Sequence, residues 1–157
     1  MSSPTDRRPR AGAAHTSSHT YAHTSAHTSA RADVVPAVRQ ALAGVPAGSL
    51  TVRLPERLPP VAVARGPLDD LLTALVRTAL GRTPPGARVL VRADAVPGRG
   101  GSDAVRVTVA DRGPTVAGEA KHRLVSRLPP ACGGRLTCED NPAGGLVLVL
   151  TLPAARR

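Results

Sequence analysis

Residues 105–153 constrain this chain more than any other stretch. They read as an alternating strand, VRVTVA, then Asp111-Arg112-Gly113-Pro114, a short polar connection, Gly133-Gly134, and RLTCED and LVLVLTLP flanking Asn141-Pro142-Ala143-Gly144. Period-two alternation identifies half-buried strands, because successive side chains of a strand point to opposite faces. The Asn-Pro-Ala-Gly turn reverses the chain between the last two, so they form a hairpin. A second alternating pair, residues 87–95 and 104–111, flanks the glycine-rich PGRGGS and predicts another antiparallel hairpin.

Helices must cover one face of such a sheet. Val34, Val38, Leu42 and Val45 recur at helical spacing before a Gly/Pro stop and predict a first helix. Residues 50–56 alternate Leu50, Val52 and Leu54 as a strand, and residues 59–64 are held extended by their prolines. Residues 67–80 form the strongest helical pattern: proline at the start, acids in the first turn, and Leu68, Leu71, Leu72, Leu75, Val76 and Ala79 on one face. GRTPPG then stops the helix, and residues 121–128 predict a short helix before Pro129-Pro130. The expected fold class is an α+β two-layer sandwich, with a mixed, mostly antiparallel sheet and its helices on one face.

With 157 residues, 41% hydrophobic, the chain supports one domain with a real core. No apolar run reaches the length of a membrane span, and the N-terminus lacks the apolar stretch of a signal peptide, so a cytoplasmic protein is expected. Cys132 and Cys138 match neither a redox nor a zinc spacing and read as reduced, packed thiols. Residues 1–32 read as a disordered low-complexity tail whose His15, His19, His23 and His27 recur every four residues among Thr and Ser, which compete for backbone hydrogen bonds rather than support a helix. The net charge of +10 permits a salt-sensitive attraction to polyanions. Its arginines are dispersed, Phe and Trp are absent, and one Tyr gives no stacking platform, so nucleic acid is not the expected partner.

The phrases RLPERLPPVAV, LLTALVRTALGRTPPG, VRVTVADRGPTV and GGRLTCEDNPAGGLVLVLTLP cover most of residues 33–153 in a fixed order. In that order they resemble the GHKL (Bergerat-type) ATP-binding domain shared by histidine kinases, the Hsp90 chaperones and type II topoisomerases, and most nearly the C-terminal domain of Kdp-type sensor histidine kinases. The resemblance makes residues 33–157 a histidine-kinase-like ATP-binding domain. It implies that Asp111 accepts the adenine amino group and that Gly113 lets the base approach the backbone. A carboxylate at a strand end and a missing Cβ suit those roles.

Other positions depart from the family pattern. Ala74 and Thr78 stand at the two Asn positions of the helix that would hold Mg²⁺, leaving Thr78 as the metal ligand. Gly81 takes the place of the following basic residue, leaving Arg82 as its substitute on the nucleotide. Thr115 replaces the second Gly of DxGxG, and between Pro114 and Gly133 the ATP lid and second glycine box are missing. Nucleotide binding is therefore expected to use Asp111, Gly113, Thr78 and Arg82, with ATP and Mg²⁺ bound weakly or not at all. Phosphoryl transfer, which depends on positioning and charge neutralisation, is expected to be lost. His122 is expected to be a solvated surface residue. A sensor kinase or a response regulator is the expected partner; the alternatives are a partner-docking pseudokinase module and a basic nucleic-acid binder.

Overall fold

The computed structural model describes residues 30–156, so the histidine repeat lies outside the described residues. Five strands form one sheet in the order β1-β2-β3-β5-β4. β1 (Leu50–Arg53) pairs parallel with β2 (Val89–Pro97), and β2/β3 (Asp103–Ala110), β3/β5 (Leu146–Pro153) and β4 (Arg135–Asp140)/β5 are antiparallel. The mixed, mostly antiparallel sheet is the expected one. β1 is shorter than its alternation suggests, since Pro55 has no N–H to extend the ladder.

Helices α1 (Val34–Leu42) and α2 (Arg65–Arg82) cover one face. Pro36 and Pro67 sit in their first turns, where the missing N–H has no intrahelical partner to lose. α2 buries Leu68, Leu71, Leu72, Leu75, Val76 and Ala79, the same face its sequence predicts. These meet Val89, Val91 and Ala93 of β2, Val105, Val107 and Val109 of β3, and Leu148, Leu150 and Leu152 of β5 in one core. A fully buried Leu or Val side chain contributes about 1.5–3 kcal/mol, so this layer contact dominates stability.

The extended segment around Val61 ties both ends of the described chain together. Val61 exchanges backbone bonds with Ala32 at 2.9 and 3.1 Å, Ala62 N–H donates to Pro153 O, and Ala155 N–H to Pro60 O. Helix boundaries differ from expectation, and α2 begins at Arg65, two residues before Pro67. α2 continues through Gly81 to Arg82, because Thr83 caps it with its N–H bonded to Ala79 O and Leu80 O and its hydroxyl bonded to Ala79 O. α3 (Gly118–Ser126) begins three residues early, buries no residue fully, and lies against β4 with Leu124 touching the core.

Candidate functional site

β3 ends at Ala110 and delivers Asp111 into a junction between the last turn of α2 and the β4–β5 turn. Among the described residues Asp111 is the only buried polar or charged side chain, at 2% exposed. A buried carboxylate needs donors for its oxygens, and every one is supplied by the protein. Oδ1 accepts the N–H groups of Gly113 and Leu146, each at 2.9 Å, and Oδ2 accepts Arg82 Nε at 2.8 Å. The backbone of Asp111 is held as well: its N–H donates to Leu146 O at 2.9 Å, and its carbonyl accepts Asn141 Nδ2 at 3.3 Å.

Close approach around this carboxylate explains two glycines. Gly145, at φ +94°, lies so near that a Cβ would collide with the Asp111 carbonyl oxygen and Oδ1. Gly113 has no room on its other side, since a Cβ there would stand 2.5 Å from Arg82 O and 3.0 Å from Arg82 Cβ. Its missing side chain thus serves the docking of α2 onto the turn. The neighbouring residues reinforce that docking. Arg82 Nη2 donates to Pro114 O, Arg112 N–H donates to Thr83 Oγ1 at 3.2 Å, and Arg112 Nη1 donates to Ala143 O at 2.9 Å.

Of the four residues expected at a nucleotide, three converge: Asp111, Gly113 and Arg82. Arg82 meets Asp111 rather than standing free as a phosphate ligand. Thr78, one helical turn earlier on α2, lines with Arg82 a cleft of about 670 Å³ between α2 and α3. Arg77, Arg82, Arg123 and Arg127 line this cleft together with the apolar Leu124 and Leu128, and no acidic residue does. A hard divalent cation takes oxygen ligands that supply negative charge. Thr78 offers one neutral hydroxyl among guanidinium groups, Asp111 is buried and paired with Arg82, and no cluster of three metal-type side chains occurs among the described residues. The residues present do not fit Mg²⁺. Chemically the cleft attracts anions.

The sequence did not reveal the roles of Asn141, Gly145 and Leu146 in holding Asp111, although the Gly144-Gly145 pair marks a tight approach. Nor did it single out Arg77, Arg123 and Arg127; the i, i+4 spacing of Arg123 and Arg127 was the available signal. Burial raises the Cys138 thiol above its ordinary value, with Lys121 and Arg82 opposing and Asp111 and Asp140 reinforcing, and burial and Asp70 raise Cys132. Both are free, half-buried and poor nucleophiles. His122 is exposed on α3, as expected.

No protein-family model matches the chain, and no curated protein matches it by sequence. Solved structures do match. The mycobacterial sensor histidine kinase MprB is 19% identical at a TM-score of 0.62, with 81% of this chain and 98% of that one covered. The ATP binding domain of PrrB from Mycobacterium tuberculosis is 23% identical at 0.59, covering 81% and 98%. Full-length ShkA, in complex with AMPPNP, is 24% identical at 0.62; this chain is covered over 82% and spans 32% of that protein. At these identities the likeness establishes the fold, which is the GHKL-type fold of histidine-kinase ATP-binding domains. No helix among the described residues is long and apolar enough to cross a membrane.

Proposed function

We propose that this chain is a degenerate histidine-kinase-type ATP-binding domain of a two-component signalling protein, with phosphoryl transfer lost and the adenine-side aspartate turned into a structural clasp. The buried carboxylate of Asp111, with both oxygens engaged inside the chain, carries this reading. The adenine amino group would meet a carboxylate that is 2% exposed and whose two oxygens already accept the N–H groups of Gly113 and Leu146 and Arg82 Nε. Reaching those oxygens means opening a buried junction whose bonds to an ionised carboxylate are worth about 1.5–3 kcal/mol each. The cationic, carboxylate-free surroundings of Thr78 support the same reading on the phosphate side, where a nucleotide would have no metal to bridge its phosphates. Binding of AMPPNP is a property of ShkA; in this chain the clasp and the missing lid oppose it.

A domain that keeps this fold without its chemistry serves by contact, with a sensor kinase or a response regulator as the partner. The likeness to Kdp-type kinases rests on the phrases around Pro55, Leu80 and Asp111. Calorimetric titration with ATP, with and without Mg²⁺, tests the proposal: the expected result is affinity no better than about millimolar and insensitive to the metal. Micromolar, Mg²⁺-dependent binding would contradict it.

A further inference from the structure

Strand alternation collects onto the helix-free face of the sheet several arginines that are dispersed in sequence. Arg53 of β1 and Arg92 of β2 are direct cross-strand partners, both exposed. Arg88 stands just before β2 and Arg112 just after β3. Like charges directly opposite on a sheet destabilise it. The chain does little to offset this: Arg92 reaches Asp94 only at 3.6 Å, while Arg106 holds the same carboxylate at 2.7 Å. Arg53 and Arg88 form no ion pair among the described residues.

Arg53, Arg88 and Arg112 border a shallow groove of about 890 Å³ with no acidic residue in its lining. Its floor is Leu90, Ala110 and Val147, which sit side by side across β2, β3 and β5. We propose that this groove docks an acidic segment of a partner protein in which carboxylate and apolar side chains alternate. The planar guanidinium fork matches a carboxylate in two hydrogen bonds. The apolar floor calls for apolar side chains, which a sugar-phosphate backbone does not offer, and the chain has no Phe or Trp for stacking bases. The proposal specifies the docking surface of the partner-binding reading, and it holds whether or not nucleotide binds.

The test is fluorescence anisotropy on the full chain at low salt without nucleotide. The probe is a labelled octapeptide of alternating Glu and Leu, compared with its Lys/Leu counterpart and a short DNA duplex. The Glu/Leu peptide should bind and the Lys/Leu peptide should not. The double variant Arg53→Gln/Arg88→Gln should weaken binding about tenfold, from the loss of two charge-assisted contacts, with a melting temperature no lower than that of the wild type. The double variant Arg123→Gln/Arg127→Gln, on α3 and just past its end, should leave binding within about twofold. Absence of binding, equal loss in both double variants, or tighter binding of the duplex with the same Arg53/Arg88 dependence would each overturn the proposal. None of these outcomes bears on the ATP titration, so the two readings fail separately.

Discussion

The two sides of the last turns of α2 solve opposite electrostatic problems. On one side Asp111 is buried and every carboxylate oxygen is matched by a donor within 2.9 Å. On the other, Arg77, Arg123 and Arg127 line an open cleft beside Thr78 with no carboxylate among them. Arg82 belongs to both, reaching out of the cleft wall into the Asp111 clasp. A neutralised, buried network stabilises the fold and resists rearrangement, whereas exposed like charges contribute little to stability and remain available for ligands. Asp111 and Gly113, which resemble an adenine site, are engaged in contacts within the chain, and Thr78 stands among arginines.

Removing the carboxylate is the strongest way to break this contrast. Asp111→Ala leaves Arg82 part-buried without a partner and strands the N–H groups of Gly113 and Leu146; about 3–5 kcal/mol should be lost in urea denaturation. Arg82→Ala should cost less, about 2 kcal/mol, because Asp111 keeps both backbone donors and gains access to water. Arg123→Ala with Arg127→Ala should change stability by less than about 0.5 kcal/mol, since both side chains are exposed. Equal costs on the two sides would remove the distinction between clasp and cleft.

Much of this architecture was legible in the sequence because it follows from periodicity. The buried stripe of α2 and the alternation of β2, β3 and β5 each bury one face, and a one-residue slip would expose all of it. α3 was misplaced by three residues because it buries nothing fully, and its pattern has no face to fix it. The clasp was hidden for a different reason. Gly81 reads as a helix stop, yet Thr83 caps the helix beyond it, and only that extra turn brings Arg82 to Asp111 across 29 residues of sequence. The arginine pair of β1 and β2 likewise depends on a parallel register that no local pattern reports.

A smaller effect sharpens the comparison at high pH. The folded thiols of Cys132 and Cys138 are raised above 9.0, so the unfolded chain ionises first. Their contribution to stability is complete below that value and is lost as pH rises through it toward the folded pKa. The urea midpoint should fall above pH 9.0, the ordinary value from which both thiols are raised, and less so in Cys132→Ser/Cys138→Ser.

Asp111 is held by bonds from its own chain, and the proposed consequence is that adenine does not bind there. ATP titration of the wild-type protein with and without Mg²⁺ tests it most directly. The expected result is no binding tighter than about millimolar and no effect of the metal. Micromolar binding that requires Mg²⁺ would contradict it.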